Sequence, residues 1–212
     1  MRVLSEFEAK RLLADYGVPV CREVLVNSAE AACLAAAEIG YPVVLKACAP
    51  GLAHKTEHGL VEIGIAGEVE VANIAKRLLK ETSEVLVQEM IRGEREFMLG
   101  MKRDLQYGPC VSFGLGGVFA EAFGDVAIAL APVGENEAAA LLDGIRGVGI
   151  LGPYRGMPAV DRSTLVRAIV GLGQLALDHP DITEIDINPL IVNGANPVAV
   201  DALVVISPIS PL

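Results

Sequence analysis

The 212-residue sequence predicts an α/β protein. Three observations carry that class. Helix and strand signals alternate along most of the chain, as expected for packed layers of both element types. Apolar residues make up 52% and charged residues 21%, the balance of a chain that folds. Caps and Gly or Pro turn signals punctuate the alternation at element length.

Ser5 and Glu8 have capping-box spacing. The helix they start carries Phe7, Leu12 and Leu13 on an apolar side and stops at Gly17, a natural C′ residue. Residues 20–26 read as a strand, and Ser28 caps an Ala-rich helix ending at Gly40. Residues 42–47 are a buried strand with one charge, Lys46, near its end; a loop over 48–58 leads to an alternating strand at 60–65. Residues 68–80 form an amphipathic helix, acidic first and basic last, the order the helix dipole prefers. Strands follow at 85–90, 96–102 and 111–113, with the polar link 92–95 as a candidate hinge. Residues 119–133 read as a hairpin turning at Gly124-Asp125, and 135–142 as a short helix. The Gly- and Pro-rich stretch 147–158 is loop, 163–178 is a helix ended by His179-Pro180, and strands at 184–192 and 197–205 close the chain.

Composition excludes several function classes. Seventeen basic against 27 acidic residues give a net charge of −10, so no basic stripe is available to neutralise phosphates and nucleic acid is not an expected partner. No apolar run approaches the ~20 residues of a membrane helix, and the first residues lack a signal core. A cytoplasmic protein is expected. Cys21, Cys33, Cys48 and Cys110 are scattered, with no metal-ligand spacing, and read as reduced packing residues.

The last hairpin is the most informative. Residues two apart on a strand share a face, so Asp186 and Asn188 point the same way. Pairing through Asn193–Asn196 makes partner numbers sum to 389 and sets Asn188 opposite Asp201. A tighter Asn193-Gly194 turn gives 387 and sets Asp186 opposite Asp201. Either register converges two carboxylates and an amide oxygen on one face, a set that suits a hard cation such as Mg²⁺. A solvated sheet face is the competing reading. Lys46 reads equally as an anion contact or as a lysine whose head reaches water. The loop bearing His54, Lys55 and Thr56 could cover phosphates, with His54 as a phosphoryl acceptor or simply solvated. Gly114-Leu115-Gly116-Gly117 permits close backbone approach or a tight turn, and lacks the features of a Walker loop. Arg155 reads as an anion clamp or as an ordinary surface arginine.

Taken in order, Pro42-Val43-Val44-Leu45-Lys46, His54-Lys55-Thr56-Glu57, Phe113-Gly114-Leu115-Gly116-Gly117-Val118-Phe119-Ala120-Glu121, Asp186-Ile187-Asn188-Pro189-Leu190 and Val200-Asp201-Ala202 resemble the β subunit, or ATP-grasp domain, of ADP-forming acyl-CoA synthetases. They are more distantly similar to the succinyl-CoA synthetase β subunit. The opening Glu8-Ala9-Lys10 to Gly17-Val18-Pro19 fits as well, so the resemblance spans nearly the whole chain.

The resemblance implies an ATP-grasp fold of two α/β lobes with the nucleotide between them, the smaller lobe roughly 20–91 and the larger 1–19 plus 92–212. It implies phosphate contacts from Lys46 and Lys55, and adenine read through the backbone at Glu89 and Ile91. Glu96 is expected near the ribose. Asn188 and Asp201 are implied Mg²⁺ ligands, with Asp186 beside the reacting phosphate. His54 is the implied carrier of a phosphoryl group between ATP or ADP and a partner. The implied reaction is acid, CoA and ATP to acyl-CoA, ADP and phosphate. No CoA-binding region is visible in the sequence, so a CoA-binding α-type subunit or domain is the expected partner and a hetero-oligomer the expected assembly. Two positions depart from the family pattern. Leu60 stands where a second Gly is usual, and Ala129 where an Arg is frequent. These departures support an alternative, a nucleotide-binding regulatory module of a larger acyltransferase or synthetase-like protein that does not complete turnover.

Overall fold

The computed structural model describes residues 1–52, 58–117 and 124–207. In chain order the first elements are β1 (Arg2–Val3), α1 (Glu6–Asp15), β2 (Glu23–Val26), α2 (Ala29–Ile39), β3 (Val43–Cys48), β4 (Val61–Ile65), α3 (Glu68–Leu78) and β5 (Glu84–Glu89). Then come β6 (Glu96–Asp104), β7 (Gly108–Leu115), β8 (Val126–Leu130), α4 (Glu135–Asp143), a 3-10 turn (Val148–Leu151), α5 (Arg162–Asp178), β9 (Ile182–Asn193), β10 (Asn196–Ala199) and β11 (Leu203–Ile206).

The chain divides into two compact units. The smaller comprises Val3–Glu8 and Cys21–Ile91; the larger comprises Met1–Arg2, Ala9–Val20 and Arg92–Leu212.

The smaller unit holds a four-stranded antiparallel sheet ordered β2-β5-β3-β4. Helices α2 and α3 pack on each other, α2 against β5 and α3 against β3. Ser28 caps α2, its side chain accepting the Ala31 N–H, and Gly40 ends it at φ 97°. The capping box at α1 forms as its spacing predicts: the Glu8 carboxylate accepts the Ser5 N–H at 2.8 Å and Ser5 Oγ accepts the Glu8 N–H at 3.3 Å. Small Ala32 and Ala36 let α2 approach the sheet, where they meet Val43, Leu45, Val85 and Val87 in one core. Each branched apolar side chain buried there contributes about 1.5–3 kcal/mol. Every residue of β3 is buried, Lys46 included.

The larger unit is built on a seven-stranded sheet ordered β1-β11-β9-β6-β7-β8, with β10 also pairing β9. Helix α4 packs on β7 and β8, and α5 on β6, β7 and α4. Alternation along β6 decides the two faces: Phe97, Leu99 and Met101 are buried, and Phe97 stacks on Phe113 at 5.3 Å between ring centroids. Glu96, Met98, Gly100 and Lys102 therefore point to the opposite face.

Two expectations change. The predicted strand 197–205 is two strands, with residues 200–202 outside the ladder. The hairpin expected over 119–133 falls in part on residues 118–123, which lie outside the described residues; its second strand, β8, pairs β7 as Gly114↔Val126 to Cys110↔Leu130. The loop 147–158 contains the 3-10 turn and a small bridge, Tyr154↔Met157. All four cysteines are free. No described helix is long and apolar enough to cross a membrane.

Candidate functional site

In the larger unit the β9–β10 pairing settles the register. Asn196↔Asn193 through Ala199↔Leu190 all sum to 389, and so do Leu203↔Asp186 to Val205↔Glu184. The chain leaves the ladder after Ala199 and returns at Leu203 in the same count, so Asp201 falls across from Asn188, as the longer connection predicts. Val200 N–H still reaches the Pro189 carbonyl at 3.3 Å, and Ala202 N–H turns to the Asp201 carboxylate at 2.9 Å. On the other side of β9 the pairing slips between Phe97↔Leu190 and Leu99↔Ile187. Asn188 and Pro189 thus oppose the single residue Met98, a bulge of the kind that re-aims side chains at functional sites.

Asn188 is tied to the glycine segment. Its Oδ1 accepts the Gly117 N–H at 3.0 Å. Gly117 has φ 64°, and a side chain there would strike the Glu96 carboxylate. Glu96 in turn accepts the Gly116 N–H on its carbonyl at 2.9 Å, and Gly116 lies so close to the Phe97 backbone that no Cβ fits. Close backbone approach, one of the two sequence readings of this segment, is what it provides. Glu96, Gly117 and Asn188 form one connected cluster.

Asp186 lines a concavity of about 340 Å³ with Asn188, Glu184, Gly100, Lys102 and Ser112. Gly100 is opposite Asp186, and Ser112 Oγ and the Ile185 carbonyl leave no room for a side chain on it. Burial pushes the Asp186 carboxyl above its ordinary range, and the carboxylates of Glu184 and Asp201 add to the rise. This electrostatic arrangement suits a cation. Among the described residues no three His, Cys, Asp or Glu side chains form a metal cluster. The residues that could hold a cation here are Asp201 and Asn188, through the second lone pair of its Oδ1, with Asp186 nearby; water or phosphate would complete the set, the coordination habit of Mg²⁺.

In the smaller unit, Lys46 is 6% exposed and its Nζ donates to Glu6 Oε1 at 2.7 Å. Neither sequence reading of Lys46 anticipated this ion pair. Glu89 accepts the Arg22 N–H on its own Oε1 at 2.7 Å and pairs with Arg22 Nε at 3.0 Å, while its N–H donates to the Arg22 carbonyl. In a regular antiparallel pair the Arg22 N–H fills the Glu89 carbonyl. Here the side chain has taken that donor and released the carbonyl. Ile91 follows two residues later, beyond the end of β5.

His54 and Lys55 lie outside the described residues, as do Thr56 and Glu57. Of the departures from the family pattern, Leu60 keeps an ordinary backbone: its carbonyl accepts the Ala47 N–H at 2.9 Å, and the positive φ falls on Gly59. Ala129 lies on β8 opposite Val111; four residues earlier, buried Asp125 accepts the N–H groups of Arg146 and Gly147 at 2.7 Å each and has Arg146 Nε at 3.5 Å. These bonds outweigh its burial and hold its carboxyl below the ordinary range. Arg155 takes a positive φ of 45° and has its guanidinium over the Tyr154 ring. Sequence reasoning missed Glu6, Arg22, Arg146 and Glu184. Only Glu184 carried a local signal, being two residues before Asp186 on the same strand face.

Comparison with known proteins gives the family. The chain matches the ATP-grasp domain family over residues 1–206. It is 36% identical to the β subunit of acetate–CoA ligase (ADP-forming) I of Pyrococcus furiosus, covering 97% of this chain and 92% of that protein. It is 35% identical to acetate–CoA ligase (ADP-forming) I of Archaeoglobus fulgidus, over 92% of this chain but 30% of that longer protein. An acetyl-coenzyme A synthetase of Ca. Korarchaeum cryptofilum superposes with a TM-score of 0.84 at 35% identity, covering 95% of this chain and 91% of that one. That structure holds coenzyme A and Mg-AMPPCP, with its phosphohistidine segment pointing towards the nucleotide-binding site. The chain belongs to the ATP-grasp family, alongside the β subunits of ADP-forming acetyl-CoA synthetases.

Proposed function

We propose that this chain is the nucleotide-handling subunit of an ADP-forming acyl-CoA synthetase. The observation that carries the reading is the convergence of Asp186, Asn188 and Asp201 through a register that keeps its count across a break, in a chain similar along its length to such a subunit. Asn188 and Asp201 hold Mg²⁺, which when bound neutralises charge on the transferring phosphoryl group. Lys46 and Lys55 contact phosphates, and Asp186 lies beside the γ-phosphate. The released Glu89 carbonyl and the Ile91 N–H read the adenine edge, and Glu96 binds ribose hydroxyls. His54 attacks the γ-phosphorus. The P–O bond to ADP breaks as a P–N bond forms, and the carried phosphoryl group passes to a CoA-binding α-type partner. The Archaeoglobus relative, of which this chain matches 30%, supports a further region, subunit or domain, working with these residues. Leu60, one of the two departures behind the regulatory alternative, has a backbone that needs no glycine conformation.

The test is incubation of the full chain with γ-³²P-ATP and Mg²⁺, with and without a CoA-binding α subunit. His54→Ala and Asn188→Ala are run in parallel. Acid-labile, alkali-stable label lost in both variants is expected. Mg-nucleotide binding without label, even with the partner present, would establish the regulatory module instead.

A further inference from the structure

Arg95 is 2% exposed. Its Nη1 donates to the carbonyls of Ile150 at 3.2 Å and Gly152 at 3.3 Å. Its Nη2 donates to Pro158 at 2.8 Å and Gly194 at 2.9 Å. Its Nε is buried with no partner among the described residues, and no carboxylate there pairs with it. Burying a guanidinium against carbonyls alone is costly, so its value lies in what those bonds fasten. Ile150, Gly152 and Pro158 belong to the long loop before α5, and Gly194 to the β9–β10 turn. The same turn is held from its other side, where the Ala195 carbonyl accepts the Asp161 N–H at 2.8 Å.

The backbone of Arg95 completes the clamp. Its carbonyl accepts the Val192 N–H at 3.0 Å, and Gly93 two residues earlier lies so close to the Val192 carbonyl that a Cβ has no room. The next residue is Glu96, whose side chain points to the opposite face of β6 and rests on Gly117. Gly117 is bonded to Asn188. One side chain thus fixes the start of β6 and the far end of β9, the two strands that aim Glu96 and Asn188.

We infer that Arg95 is a positioning residue for nucleotide binding, acting through Glu96; this rests on the function proposed above. A lysine at this site offers one ammonium where two nitrogens reach four carbonyls at separate positions. The start of β6 then loosens, and Glu96 loses its fixed placement. Displacements of about 1 Å are enough to weaken a well-oriented contact by tenfold or more.

The test is a double-mutant cycle on the full chain, reading the Kd for Mg-ADP by calorimetry and the melting temperature of each protein. Arg95→Lys is expected to weaken Mg-ADP about tenfold in the parent and less than about twofold in a Glu96→Gln background, the non-additivity of residues acting through one another. An equal factor in both backgrounds, or a lower melting temperature with an unchanged Kd, would make Arg95 merely structural and overturn the inference. No Mg-ADP binding by the parent would remove the proposed function itself, a separate outcome. If Arg95→Lys does not fold, Arg95→Gln, which keeps a polar side chain too short to reach the Pro158 and Gly194 carbonyls, carries the same cycle.

Discussion

Glu6→Gln tests the buried ion pair of the smaller unit. Glu6 and Lys46 are 5% and 6% exposed, with Nζ 2.7 Å from Oε1. At that separation and an effective dielectric constant of about 20, the attraction is about 6 kcal/mol, against which desolvation of both groups works. Neutralising one partner leaves the other charge buried, which costs about 3 kcal/mol or more. For a chain of this size that lowers the melting temperature by about 6–12 °C. Replacing both, Glu6→Leu with Lys46→Met, removes both charges together and is expected to recover most of the loss. The assay is thermal unfolding of the parent, both single variants and the double variant without nucleotide. Single variants melting within about 2 °C of the parent, or a double variant whose loss is the sum of the two, would refute the reasoning.

Other consequences are as direct. Asp161 caps α5, taking bonds from Ser163 and Thr164 that lower its pKa to about 2. Its contribution is present above the unfolded value of 3.8 and lost as the pH falls towards 2; Asp161→Ala should melt lower at pH 7, with the difference closing in that window. Asp186 has the opposite sign, because its pKa is raised by burial, Glu184 and Asp201. The shift favours the folded state only where the group is protonated, so Asp186→Asn should raise the melting temperature at pH 7 without Mg²⁺ and show no gain below the ordinary carboxylate range. Gly171 in α5 has the Tyr16 carbonyl where a Cβ would sit. Gly171→Ala gains about 1 kcal/mol of helix propensity but must push two backbones apart, and a net loss of about 2 kcal/mol in denaturant unfolding is expected.

The parts of the fold that were legible are those with local causes. The α1 start could be read because Ser5 and Glu8 satisfy one another three residues apart. The β9–β10 turn could be narrowed to two registers, and the pairing Asn196↔Asn193 takes the one that sums to 389. The Asp186, Asn188 and Asp201 face followed from strand alternation. The break at residues 200–202 could not be read. Val198 to Val205 keeps an apolar rhythm, and only the capture of the Ala202 N–H by the Asp201 carboxylate takes the chain off the ladder. Lys46 was legible as buried but not as paired, since Glu6 lies 40 residues away on another element. Arg95 sat in a polar, glycine-bearing link that reads as solvent-facing. It is buried because carbonyls from two distant turns converge on it, and no pattern in its neighbourhood encodes that.

The gap between β10 and β11 makes chain length a constraint at that point. Three residues cross it, and the count of 389 is the same before and after. Adding or removing one residue there reverses the parity of everything downstream. Val204, now fully buried, would turn outward, and half-buried Leu203 would turn into its place. Asp201 would lose its position across from Asn188 in the same stroke. Substitutions at Val200 or Ala202 leave the count intact. Insertions and deletions alter packing and candidate metal site together, so this short stretch acts as a ruler whose markings matter more than its material.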